Sequence, residues 1–437
     1  MIARLIAFGA VLIALAAPAA SSRAQTDTST TSSDVNGVKV IVRRNTANDV
    51  IAANVYLLGG TQQLTPASQG IEAMLLRASE RGTKRYPGEK VRQALVRTGC
   101  NIGISPSEDW TVFGTTCVRG SFDSTWTVLA NRLMEPTLDS GEVELVRERM
   151  LTGVREASSA PDPLLNRLAD SLQWIGQPYG FTPDGTEASL QSITLGQLRR
   201  YQETQIVASR MLVVVVGNVD RAHVEDLVRQ TLAKLPRGSY TWSPPGLSRS
   251  LGRALLTRAM PLPTNYILGY YAGPAARNPD YQALRIACAV LSGRFFTEIR
   301  SRRNLSYEVD APFLERAVSS GGVYVTTVDP KATLTLMREE INRLQRELLD
   351  PDGLERLVQQ FITEYFLRNE TNGDQATFLA RAQIYQGDFR AASRFVDDLR
   401  RVQPDDVRRV ANTYMRDFRF VYLGKVDALP RELLAQF

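Results

Sequence analysis

Among side chains able to do metal or redox chemistry, histidine and cysteine are scarce in this 437-residue chain. There is one histidine, His223, in "NVDRAHVEDLV", which reads as a surface helix. Zinc sites draw on His, Cys or carboxylate ligands, and a single histidine rules out a two-His site built within one chain. Three cysteines remain. Cys100 and Cys117 flank "NIGISPSEDWTVFGTT", two arms of alternating β-forming residues around the turn chemistry of "SPSED". A hairpin centred near Glu108 and Asp109 pairs residues whose numbers sum to about 217, and 100 and 117 have that sum. In an oxidising compartment they are placed to form a disulfide. A one-residue slip of register leaves two buried free thiols instead. Cys288, inside "LRIACAVL", reads as a packed core residue.

The elements that must position these residues begin with "QGIEAMLLRASERGTKRY", Gln69 to Tyr86. Ile71, Met74, Leu75 and Ala78 follow the i, i+3, i+4, i+7 spacing of one apolar helix face. Thr65-Pro66 suits an N-cap and first turn, and Gly82-Thr83 a stop. A later helix, "SGEVELVRERMLTGVREA", is announced by Asp139 with Glu142 three residues on. The chain also repeats itself. "MLVVVVGNVD" and "FRFVYLGKVD" are β-rich runs closing on Gly-x-Val-Asp, each preceded by a helical stretch, with Gly217 and Gly424 lying 207 positions apart. Strand signals open both halves: "GVKVIVRR" and "DVIAANVYLLGG", then "RALLTRAM" and "TNYILGYYAG". Helices and strands alternate in blocks without strict βαβ order. The expected fold class is therefore α+β: two homologous halves, each an antiparallel-rich sheet with helices packed on one face, joined by a linker. The halves span residues 36–236 and 254–437, and the Pro-, Gly- and Ser-rich linker spans 237–253.

Bulk composition excludes several classes. Lys+Arg 52 against Asp+Glu 46 gives a net charge of +6, spread along the chain, and the run "RSRRN" is too short to argue for nucleic acid. Residues 1–24 read as a signal peptide, with Arg4 as the basic n-region, "LIAFGAVLIALAA" as the apolar core and Ser22-Arg23-Ala24 as the cleavage site. The polar stretch 25–35 is expected to be a disordered tether. No later apolar run is long enough to span a bilayer. The expectation is a soluble protein exported to the periplasm, off the membrane once the leader is removed.

"QGIEAMLLRASERGT" resembles the metal-site region of the insulinase/pitrilysin-type zinc peptidases, in which a Gly is followed by H-x-x-E-H and a Gly-Thr turn. In that family two His at i and i+4 bind zinc and the Glu acts as base. Sliding on Gly70 and Gly82-Thr83 places the first His at Ala73, the Glu at Leu76 and the second His at Arg77. The family's third ligand, a Glu on a later helix, falls at Gly153, 76 positions beyond Arg77. All four positions are substituted, and Arg77 would repel a cation. The resemblance implies a chain that binds no zinc of its own and is not a peptidase by itself.

The resemblance extends over nearly the whole mature chain. "LSGRFFTEIRSRRNLSYEV" is similar to the family's motif of a helix ending in Arg, a short turn and a Leu-x-Tyr entering a strand, matched by Arg300, Leu305 and Tyr307. In the family this Arg and Tyr bind the substrate backbone and stabilise the oxyanion, as a guanidinium and a phenol are able to do. By residue type alone, "RSRRN" also fits a basic helix end and Tyr307 an ordinary strand tyrosine. In bacterial members two related chains can divide the labour, one with the zinc motif and one with the Arg/Tyr pair. The resemblance thus implies a noncatalytic subunit that places Arg300 and Tyr307 beside a homologous, zinc-bearing partner acting on a peptide. The alternative is a proteolytically inactive structural or peptide-binding scaffold.

Overall fold

The computed structural model describes residues 29–246 and 252–437. The expected leader at 1–24, the start of the tether at 25–28 and linker residues 247–251 lie outside the described residues.

The first described strand corrects the reading of a disordered tether for residues 30–35. Thr30–Val35 forms strand β1, antiparallel to β2 (Val38–Arg44). A two-residue loop, Asn36-Gly37, joins them with φ of 53° and 94°. Asn-Gly is the pair best suited to the left-handed backbone of a tight hairpin turn. Gly37 N–H also donates to Asp34 Oδ1 at 2.8 Å. Low hydrophobicity suggested disorder, but threonine is a good strand former and the turn fixes the register.

Four more strands complete the first sheet: β3 (Val50–Leu58), β4 (Asn101–Pro106), β5 (Trp110–Val118) and β6 (Met211–Gly217). Their order is β1-β2-β6-β3-β5-β4. Asn101 pairs with Thr116, so the hairpin around Glu108 and Asp109 has the expected register. Cys100 and Cys117, expected to face each other at its end, lie side by side there as free thiols. Cys100 Sγ also donates to the Thr98 carbonyl at 3.1 Å. Burial, then the neighbouring Cys100, pushes the Cys117 thiol up to about 12. Cys288 is buried, as expected.

The second sheet repeats the plan with β7 (Ala254–Ala259), β8 (Asn265–Ala275), β9 (Val309–Asp310), β10 (Phe313–Leu314), β11 (Val318–Thr327) and β12 (Arg419–Gly424). Its order is β10-β11-β8-β12-β7, with β9 also on β11. In each sheet the Gly-x-Val-Asp strand lies parallel to the first long strand of its half and antiparallel to the next: β6 between β2 and β3, β12 between β7 and β8. Both strands end on a glycine at positive φ, 152° at Gly217 and 140° at Gly424. A Cβ at Gly217 would fall 2.8 Å from Val50 O, and one at Gly424 2.4 Å from Asn265 Oδ1. The repeat is thus a steric requirement met twice.

The helices of the first half are α1 (Ile71–Ala78), α2 (Lys90–Thr98), α3 (Phe122–Met134), α4 (Ser140–Ser159), α5 (Pro161–Gln173), α6 (Glu187–Ser192), α7 (Leu195–Gln205) and α8 (Arg221–Gln230). Those of the second are α9 (Asp280–Phe295), α10 (Pro330–Arg346), α11 (Pro351–Arg368), α12 (Asn372–Gln386), α13 (Ala391–Arg400), α14 (Pro404–Tyr414) and α15 (Arg431–Leu434). Asp139 caps α4, accepting from the N–H groups of Gly141 and Glu142 at 2.9 and 3.2 Å. Helix α1 starts later than expected, after Gly70 at φ 83°. Thr65 lies in a preceding turn, its N–H donating to Ser68 Oγ at 2.8 Å.

Most helices cover one face of their own sheet, as expected, but the opposite face is covered by a helix from the other half. Ala376, Leu379 and Ala380 of α12 pack on Ile41, Tyr56 and Val214 of the first sheet. Leu164, Leu165 and Ala169 of α5 pack on Leu268, Val421 and Leu423 of the second. Central strands apolar on both faces demand two covers. A buried polar clasp joins the halves beside these helices. Asp109 accepts from the Tyr179 hydroxyl, the Tyr385 hydroxyl at 2.6 Å and Ala317 N–H at 2.9 Å. Arg316 grips Asp170 at 2.8 and 3.0 Å and Glu108 at 2.9 Å. Among the described residues no helix is long and apolar enough to cross a membrane.

Candidate functional site

Helix α1 carries three of the four positions aligned with the family's zinc ligands and catalytic base: Ala73, Leu76 and Arg77. Ala73 and Leu76 are buried in the core at 0% and 1% exposure. Arg77 turns outward into a cleft and pairs with Asp184 at 3.0 Å. Gly153, on α4, lines the same cleft, and nothing lies within 4 Å of the Cβ it lacks. The fold therefore brings Arg77 and Gly153 together across α1 and α4, while Ala73 and Leu76 serve packing. Methyl, isobutyl, guanidinium and hydrogen offer no donor to zinc, so the metal does not fit here. Among the described residues no three His, Cys, Asp or Glu side chains gather as a metal site. His223 lies on α8, its Nε2 2.7 Å from Asp123 Oδ1.

Beside these positions lies a charged group that sequence reasoning missed. Glu72, 5% exposed on α1, accepts from Tyr201 Oη and Arg210 Nη2, each at 2.9 Å. Arg210 Nε donates to Leu58 O at 2.8 Å. Burial, then the Glu72 carboxylate, holds the Tyr201 phenol well above its usual range. The triad anchors α1 to α7 and to the end of β3. In the sequence Glu72 is one glutamate in an apolar helical run, with nothing beside it that marks a partner.

The second pair is built where α9 ends. The helix widens into a π-helical turn, Phe296–Ser301, and Asn304 reverses the chain at φ 51°. Leu305 N–H closes that turn on Ile299 O at 2.9 Å, and β9 follows. This geometry lays the Arg300 guanidinium 4.7 Å from the centre of the Tyr307 ring and 5.2 Å from that of Phe296. Tyr307 is 82% exposed. The neighbouring arginines are occupied: Arg302 and Arg303 both bind Glu298, the latter at 2.5 Å. Among the described residues Arg300 has no carboxylate partner. Arg300 and Tyr307 are thus brought together, but they do not line the cleft of Arg77 and Gly153. Chemically the pair offers an exposed cation and a phenol hydroxyl, both hydrogen-bond donors.

Residues 39–182 match the family model described as insulinase (peptidase family M16), and residues 192–361 match one described as peptidase M16 inactive domain. The second match starts at the end of α6 and runs through α7, β6 and the linker into the second half. The chain is 25% identical over 419 residues to the mitochondrial-processing peptidase subunit beta of Blastocladiella emersonii, covering 90% of this chain and 88% of that protein. Its fold is similar to that of a protease from Helicobacter pylori, with a TM-score of 0.83 at 17% identity over 91% of this chain and 99% of that one. It is similar too to a peptidase M16 inactive domain from Pseudomonas fluorescens, with a TM-score of 0.81 at 18% identity over 90% and 97%. With two halves of one plan, two matching models and donor-free residues at every ligand position, the chain belongs to the insulinase family of peptidases and lacks that family's catalytic motif.

Proposed function

We propose that this chain is the noncatalytic subunit of an exported, heterodimeric zinc endopeptidase. A homologous partner chain holds the zinc and the catalytic base. This chain forms half of the substrate cavity and presents Arg300 and Tyr307 to a peptide bound at the partner's site. The observation that carries the reading is the free Arg300 guanidinium stacked on an exposed Tyr307, while Arg302 and Arg303 are tied to Glu298. Two donors that lie outside this chain's own cleft suit a carbonyl supplied with another molecule. Residues 1–24 support export to the periplasm.

A second reading is a scaffold without proteolysis. It is favoured by the Arg77–Asp184 ion pair, which fills the place of the aligned second His with a structural contact. Isolation from the native source separates the two. The subunit reading expects a co-eluting chain with an intact H-x-x-E-H motif, peptidase activity in the complex, and about one zinc per complex, removed together with activity by a chelator. This chain purified alone should hold no stoichiometric zinc and cleave no peptide. Zinc at one per chain in the isolated protein overturns both readings. Co-elution with proteins lacking that motif, without activity, leaves the scaffold.

A further inference from the structure

The cleft that holds Arg77 and Gly153 has a composition of its own. Its volume is about 550 Å³, within the range of roughly 300–1,000 Å³ typical of small-ligand sites. Met150, Val154 and Phe181 supply apolar wall. Every carboxylate on the lining already has a guanidinium: Asp184 has Arg77, and Glu108 and Asp170 share Arg316. Arg167, which also lines the cleft, does not have the reverse. Its Nη1 donates to Ser158 Oγ at 3.0 Å, and among the described residues no carboxylate pairs with it. Burial, then the nearby Arg258, lowers the Arg167 pKa; the opposing Glu187 is engaged by Arg155 at 3.3 Å. A half-buried cation beside another cation is a standing demand for an anion.

Gly153 points the same way. It sits inside the 20-residue α4, with ordinary helical backbone and open space where a Cβ would be. Glycine in a helix interior costs about 1 kcal/mol relative to alanine, and no close contact here excludes a side chain. What the missing side chain preserves is the free volume of the cleft.

We propose that this cleft binds the C-terminal end of a peptide, with Arg167 taking the terminal carboxylate and Met150, Val154 and Phe181 receiving an apolar last side chain. The inference does not rest on Arg300 and Tyr307, and it is measured on this chain without a partner. The shared chemistry is a carboxylate on an apolar body, which a small carboxylic acid also carries.

Isothermal titration calorimetry of the purified full chain tests it with four probes: acetyl-Leu-Leu-Phe as free acid, the same peptide as its amide, 3-phenylpropanoate and inorganic phosphate. The free-acid peptide should bind at least about tenfold more tightly than each of the others, since a charge-assisted contact and apolar burial act together. Arg167→Gln should lower that affinity by about tenfold or more. Gly153→Leu should do likewise by filling the cleft, with an unchanged or higher melting temperature that separates blockage from unfolding. Equal affinity for acid and amide, or full affinity in Arg167→Gln, overturns the proposal. Binding of 3-phenylpropanoate or phosphate as tight as that of the peptide acid overturns the peptide as the ligand.

Discussion

Arg300 differs from the arginines that follow it in what it touches. Arg302 and Arg303 neutralise Glu298, whereas Arg300 spends its guanidinium on two aromatic faces. A cation–π contact leaves the N–H groups at its edge free to donate. If the pair completes a partner's site, Arg300→Ala and Tyr307→Phe should each lower the kcat/KM of the reconstituted complex by on the order of 100-fold, the usual cost of one oxyanion donor. Melting temperature and partner binding should stay close to wild type, because Tyr307 is 82% exposed. Arg303→Ala is the matched control and should be mild. Unchanged turnover in both Arg300→Ala and Tyr307→Phe would leave this chain a structural subunit of the peptidase that supplies no donor to its site. At this scale the site was legible only in part. The lost ligands could be placed because Gly70 and Gly82-Thr83 fix the frame. The Glu72–Arg210–Tyr201 triad could not, because its members lie 129 and 138 positions from Glu72 and nothing in the sequence says that this glutamate is buried.

Elements were easiest to read where local pattern and packing agree. The alternating and continuous apolar runs became β2, β3, β6, β7, β8 and β12. Strand β1 was missed because its residues are polar and its stability comes from the Asn36-Gly37 turn and the ladder to β2. The start of α1 was misplaced because Thr65-Pro66 imitates a cap, while the backbone enters the helix through Gly70. The glycines closing β6 and β12 offer a test of how much these junctions matter. Gly217→Ala would put a Cβ 2.9 Å from Ile51 Cα, and Gly424→Ala one 3.1 Å from Asn265 Cα. Backbone cannot give way as a side-chain tip does, and positive φ adds strain. Each substitution should destabilise by about 1–3 kcal/mol in urea titrations. Gly153→Ala should stabilise by up to about 1 kcal/mol. Equal effects at the three positions would mean that the repeated Gly-x-Val-Asp ending is not a steric requirement.

Exchange of α5 and α12 makes the two sheets parts of one folding unit, because neither has both faces covered without the other half. That arrangement was not legible: apolar residues on a helix show that it packs, not on which sheet. It predicts a single unfolding transition reported alike by probes in either half. The clasp sets how firmly the halves close. Arg316→Met leaves Asp170 and Glu108 without their cation, and breaking a buried pair this way costs about 3–5 kcal/mol at neutral pH. Burial already raises the Glu108 carboxyl above its ordinary 4.5, with Arg316 opposing that rise. A carboxyl that holds its proton more tightly folded than unfolded favours the native state as pH falls toward 4.5 and opposes it as pH rises through the folded value. Removing Arg316 strengthens that effect, so the deficit of Arg316→Met should be largest near pH 8 and shrink toward pH 5. Tyr385→Phe removes one neutral donor from Asp109 and should cost about 1–3 kcal/mol. Both variants should still unfold in one step, because the exchanged helices remain. A transition split in two in either variant would show that the clasp, and not the exchange of helices, makes the halves cooperative.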